Sequence, residues 1–206
     1  MLSAFTAGLL LITISELGDK TFFIAMVLAM RHPRRWVLSG VCLALAVMTI
    51  LSVLLGQSVS FLPKSYLDIA EIVLFLGFGI KLLYDASRMT SGSCETEEQE
   101  ALEVVQKADL DRRSTVWSIL IESFTLTFVA EWGDRTQIAT ITLAAANHPV
   151  GVTLGAVLGH VICAAIAVFG GRFICGRISE RTVTTLGGIL FLIFAGVAAS
   201  EMWLAA

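Results

Sequence analysis

The sequence predicts an all-α, polytopic membrane protein of six transmembrane helices, arranged as two inverted three-helix repeats. Three observations predict it: an apolar composition, six long hydropathic runs, and a motif that returns once in each half of the chain. The composition comes first. Of the 206 residues 56% are hydrophobic and only 15% are charged, and the mean hydropathy is +0.84. Such a chain is too apolar for an ordinary soluble domain. A spanning helix needs about 20 mostly apolar residues. The runs fall at Ser3 to Met30, Trp36 to Ser60, Tyr66 to Asp85, Val116 to Asn147, Val150 to Gly170 and Val183 to Leu204. Pro33, Pro63 and Pro149 punctuate the connections between them, as expected of a residue that cannot continue a helix.

This division leaves residues 1–87 for the first repeat, 88–115 for an acidic linker and 116–206 for the second repeat, with no room for a separate soluble domain. The formal charge of -3 conceals an uneven distribution, with acids gathered in the linker and bases at helix ends. Arg31, Arg34, Arg35, Arg88, Lys107, Arg112, Arg113, Arg172, Arg177 and Arg181 fall in loops on one face, against Lys64 on the other. Basic loops stay cytoplasmic, so the linker is expected in the cytoplasm and both termini outside it. The N-terminal apolar run is too long for a cleaved signal peptide and lacks its basic start. Cys42, Cys94, Cys163 and Cys175 form no CxxC pair, so neither a disulfide framework nor a thiolate metal site is expected.

The repeat is ordered along the chain. At a displacement of 115 residues, Glu16-Leu-Gly-Asp-Lys-Thr21 falls on Glu131-Trp-Gly-Asp-Arg-Thr136, Gly40 on Gly155 and Gly56 on Gly171. One residue further, His32-Pro33 matches His148-Pro149, and the Leu-Phe-Leu of 74–76 matches that of 190–192. With three spans in each half, the second half must enter the membrane upside down. That is the architecture of many secondary transporters, whose sites lie near the midplane where the repeats meet.

Glu16 and Asp19 are three residues apart, as are Glu131 and Asp134, so in a continuous helix each pair shares a face. An ionised carboxylate at the bilayer centre costs at least about 2.5–3.5 kcal/mol, which marks these four acids as the candidate metal ligands. The bland reading is that Glu16 with Lys20, and Glu131 with Arg135, are i,i+4 salt bridges that merely neutralise one another. Two acids and one base per motif still leave the pair of motifs at -2, the charge of one divalent cation or two protons. Oxygen ligands suit calcium, magnesium and manganese better than copper or zinc. Thr21, Thr136 and Gln137 could add neutral oxygens. Gly18 and Gly133 permit close helix approach or a loosened backbone that offers carbonyls.

ELGDKTFF and EWGDRTQ resemble the paired Glu-x-Gly-Asp-Lys/Arg-Ser/Thr signatures of the transmembrane protein 165 family, which has Golgi, chloroplast and cyanobacterial members. The similarity extends through AMRHPRRWVLSG, LGHVICAAIAVFGGR and RTVTTLGGILF, so it covers nearly the whole chain outside the linker. The resemblance implies exchange of manganese or calcium for protons. It implies a binding site at Glu16, Asp19, Glu131 and Asp134, supported by Lys20, Thr21, Arg135, Thr136 and Gln137. The metal is then substrate and no cofactor is expected; nor is a nucleic-acid partner. Without the long N-terminal extension of the eukaryotic members, the chain is expected in a bacterial or cyanobacterial plasma or thylakoid membrane.

His160, near the centre of the fifth span, is a candidate proton relay, or else a hydrogen-bonded core histidine. Glu122 reads as interfacial, as do Lys81, Asp85 and Arg88. Gly151, Gly155 and Gly159 predict close helix packing, within the monomer rather than in a homodimer. The run from Glu95 to Glu103 reads as a solvated acidic loop. The expected mechanism has cytoplasmic metal bound between the motifs and replaced by protons from the other side as the two halves rock. A passive channel could be lined by the same acids. A membrane-embedded hydrolase is the third reading, and the absence of HExxH and GxSxG speaks against it.

Overall fold

The computed structural model describes residues 1–89, 95–108, 115–174 and 179–205, and among them all regular structure is helical. In chain order the helices are α1 (Leu2–Glu16), α2 (Lys20–Arg31), α3 (Arg34–Val59), α4 (Lys64–Arg88), α5 (Glu95–Ala108), α6 (Val116–Glu131), α7 (Arg135–Ala146), α8 (Pro149–Ile174) and α9 (Glu180–Ala205). Three stretches are long and apolar enough to cross a membrane: α3 throughout, Pro149–Gly170 of α8 and Arg181–Leu204 of α9. Helix α4 is as long but carries Asp68, Glu71, Lys81 and Asp85. On the outer surface Leu54, Ile121, Leu154 and Ile193 are all more than half exposed, as suits helices that turn side chains toward acyl chains rather than water.

The first and fourth hydropathic runs are not single helices. Ser3 to Met30 divides into α1 and α2 at Leu17–Asp19, and Val116 to Asn147 divides into α6 and α7 at Trp132–Asp134. The cause is local: Gly18 and Gly133 adopt φ of 77° and 83°, a left-handed conformation that glycine alone enters freely and that ends an α-helix. Pro33 and Pro149, by contrast, lie where the sequence predicts helix boundaries, at the starts of α3 and α8.

Element lengths repeat between the halves. Helices α1 to α4 have 15, 12, 26 and 25 residues, and α6 to α9 have 16, 12, 26 and 26. The halves are interlocked: α1 lies against α8, α3 against α6 and α7, α2 against α8, and α4 against α9. The glycine steps of α8 make one of these contacts. A Cβ on Gly151 would stand 2.7 Å from the Met1 carbonyl oxygen, and one on Gly155 would collide with the carbonyl oxygen of Phe5. The glycine face is thus filled by α1 of the same chain. Gly155→Leu must drive α1 and α8 apart, and overpacking a close contact costs about 1–3 kcal/mol or more. The expected result is a lowered melting temperature and a reduced monodisperse fraction in detergent, and a stable variant would refute the close approach.

The linker differs from expectation. Helix α5 lies within it and rests on α2, with Ala101 and Val105 buried one turn apart on its inner face. It is an amphipathic cover, where the acidic run predicted a loop. Helix α2, packed by α5, α8, α3 and α6, is buried from Thr21 to Ala29. A second apolar cluster joins α1, α4, α7 and α9 through Leu11, Phe75, Leu82, Leu143 and Phe191, flanked by Phe78 and Phe194. Cys42 and Cys163 are free thiols; Cys94 and Cys175 lie outside the described residues.

Candidate cation site

The two helix breaks place the acidic residues. Each glutamate is the last residue of its first half-helix, Glu16 of α1 and Glu131 of α6. Each aspartate, Asp19 or Asp134, is the N-cap residue of the following half-helix, yet neither side chain caps it. The expected shared helical face is therefore replaced by a turn, closed by the Asp19 N–H donating to the Glu16 carbonyl at 3.3 Å and by the Asp134 N–H donating to Glu131 at 3.2 Å. The C-terminal poles of α1 and α6 carry partial negative charge, which favours a cation between them.

Three of the four acids converge. One carboxylate oxygen from each of Glu16, Glu131 and Asp134 lies within 4.8 Å of the others. An ion with oxygens at about 2.0–2.6 Å separates opposite ligands by up to about 5 Å, so the group has the dimensions of a metal cage. Glu16 and Glu131 are each 2% exposed. The two threonines hold them alike: Thr21 Oγ1 donates to Glu16 Oε2 at 3.1 Å, and Thr136 Oγ1 lies 3.4 Å from Glu131 Oε2 and from Asp134 Oδ2. The remaining Oε1 of both glutamates is buried and, among the described residues, has no hydrogen-bond partner. A buried charged oxygen without a donor is costly, and a cation would relieve both.

The basic residues depart from the i,i+4 pairing. Lys20 turns outward to Glu100 of α5 at 3.0 Å, with both side chains well exposed. Arg135 crosses to the other motif, Nη2 donating to Asp19 Oδ1 at 3.1 Å, while its Nε stands 3.8 Å from Asp134. Asp19 is thus held by Arg135 outside the three-acid group. Gln137 does not offer its carbonyl oxygen to the cage: Oε1 accepts the Gly133 N–H at 2.7 Å and Nε2 lies 3.1 Å from Met48 Sδ. It stabilises the left-handed turn. A cavity of about 40 Å³ beside Gly18, Asp19, Arg135 and Thr136 extends along Leu82 and Val183. His160 shares a small pocket with Glu16, Thr21 and Cys163, and its Nδ1 is buried with no hydrogen-bond partner among the described residues. Glu122 lies 3.6 Å from His32.

A buried acidic cluster at the ends of half-helices thus accompanies helices long and apolar enough to cross a membrane, the combination expected of a membrane transport protein. A family model described as "Divalent cation/proton antiporter GDT1" matches residues 4–90 and 119–205, two stretches displaced by the same 115 residues, and the chain belongs to this family. It is 61% identical over 199 residues to the GDT1-like protein sll0615 of Synechocystis, covering 96% of this chain and 97% of that one. It is 47% identical to GDT1-like protein 4 of Oryza sativa subsp. indica, covering 95% of this chain and 72% of the relative. Against the chloroplastic PAM71-homolog of Arabidopsis thaliana it is 40% identical, covering 94% and 58%. No solved structure matches. The family comprises transporters, not enzymes; the metal is what they carry, and no cofactor is implied.

Proposed function

We propose that the chain exports manganese, with calcium as a second substrate, from the cytoplasm in exchange for protons, and that the ion is held by Glu16, Glu131 and Asp134. The observation that carries this reading is the convergence of three carboxylates within 4.8 Å, with one buried oxygen on each glutamate that has no hydrogen-bond partner among the described residues. The all-oxygen donor set favours hard and borderline ions over copper and zinc. Six spans in two inverted repeats fit the matching element lengths and the family model's two stretches. By the loop-charge reading, the cavity along Leu82 and Val183 opens toward the cytoplasm. Phe191, which lines this cavity, packs on Phe75, and Phe75 on Phe194, with ring centroids 5.7 and 6.2 Å apart.

Protons and metal compete because a protonated carboxylate is a poor ligand. Protons arriving from the outer side empty the cage outward, and two returned per metal keep the exchange electroneutral. Metal affinity must therefore weaken as pH falls, by about tenfold per unit for each proton displaced. Equilibrium binding of manganese to purified protein across the acidic range checks this, and a flat profile would contradict the exchange. The direct test is proteoliposome flux. An imposed pH gradient should drive uptake of manganese, and more weakly of calcium, while flux indifferent to the gradient would sink the antiport reading.

A further inference from the structure

The two glutamates of the cage are alike in sequence but not in surroundings. At the displacement of 115 residues that superposes their motifs, His160 of α8 corresponds to Leu45 of α3. His160 and Glu16 line one pocket of about 10 Å³ where α8 meets α1. His160 is 6% exposed. Among the described residues neither its Nδ1 nor Glu16 Oε1 has a hydrogen-bond partner. A buried polar atom left so is costly, and these two are complementary: with its proton on Nδ1, the ring offers the donor that the carboxylate oxygen lacks.

The packing on either side of His160 fixes this proximity. Gly159 lies so close to α1 that a Cβ there would stand 3.1 Å from Thr13 Oγ1 and from the Leu9 carbonyl oxygen. Cys163 Sγ donates to the Thr13 carbonyl at 3.2 Å. Thr13 and Glu16 are three residues apart on α1, as are His160 and Cys163 on α8, so each pair shares a helix face. We propose that His160 is a positioning residue for the cation site: its Nδ1–H donates to Glu16 Oε1, directly or through one water, and holds the carboxylate toward the ion. The pocket is at the lower limit of room for such a water. A carboxylate oxygen has two lone pairs, so Oε1 can accept from the imidazole and still bind metal, while Thr21 holds Oε2. The corresponding residue of the first half, Leu45, has no hydrogen to donate, which makes the two glutamates unequal as ligands. This assignment rests on the cage reading above.

The test is a manganese titration of the full chain in nanodiscs at one fixed pH, read by electron paramagnetic resonance of the free ion. Outer-shell partners of metal ligands are typically worth 10- to 100-fold in affinity, so His160→Leu should weaken binding at least about tenfold at an unchanged melting temperature. His160→Asn, whose amide N–H stands near the place of Nδ1, should remain within about threefold of wild type. Equal losses in the two variants, or no loss in either, overturn the assignment. Wild type alone carries the test should a variant fail to fold: the electron spin echo of bound manganese should show a histidine nitrogen at outer-shell strength, identified by isotope labelling of histidine. No such nitrogen, or one bonded directly to the metal, overturns it as well. Binding lost in Glu131→Gln but unchanged in His160→Leu sinks this inference alone. Binding intact in both Glu16→Gln and Glu131→Gln sinks the cage, and the role of His160 with it.

Discussion

Glu131→Gln, and equally Glu16→Gln, should reduce manganese-driven proton flux in proteoliposomes at least about a hundredfold. Removing even an outer-shell partner of a metal ligand typically costs 10- to 100-fold, and here a charged ligand itself is lost. Glutamine retains size and one neutral oxygen, so a loss reports charge rather than shape. Thr21 and Thr136 would keep a hydrogen-bond acceptor in each variant, which favours folding. Unchanged melting temperature with absent flux is the expected pair of results. Full flux in either variant would remove the three-acid cage from the mechanism.

Arg135→Ala should lower transport by about tenfold or more, whereas Lys20→Ala should change it by less than about threefold. The motifs are alike in sequence, but the two bases are not alike in space. Arg135 bridges Asp19 of one motif and Asp134 of the other, and losing it leaves half-buried carboxylates without their counter-charge. Lys20 instead forms an exposed pair with Glu100, a type worth little. Parallel flux assays of both variants, with Lys81→Ala as a reference, decide it; equal losses for Arg135 and Lys20 would show that the crossed pair has no special role.

Much of this was legible in the sequence because membrane constraint and repetition left strong marks. Apolar runs located α3, α8 and α9, with Pro33 and Pro149 marking the starts of the first two, and the doubled motif located both carboxylate pairs and both glycines. The helix breaks were not legible: a single left-handed glycine interrupts the backbone without interrupting hydropathy, so Leu17–Asp19 and Trp132–Asp134 read as helix. The Arg135 to Asp19 pair was hidden because spacing reports only local neighbours, and these residues are 116 apart. Burial of Ala101 and Val105 depends on where α2 lies, which the acidic run of the linker does not encode. Glu71 and Glu201 lie inside predicted spans, where an acid is itself a signal, but that they line one cavity is visible only when α4 and α9 are set side by side.

The exchange of partners between the halves has a mechanical consequence. Because α1 seats its backbone on the glycines of α8, and α3 does likewise with α6 at Gly40, neither repeat can swing away as a unit without tearing its tightest seams. Under the proposed exchange, any bodies that move would each have to borrow helices from both halves of the chain. Cut in the linker, the chain should yield two fragments that are unstable alone yet reassemble when made together.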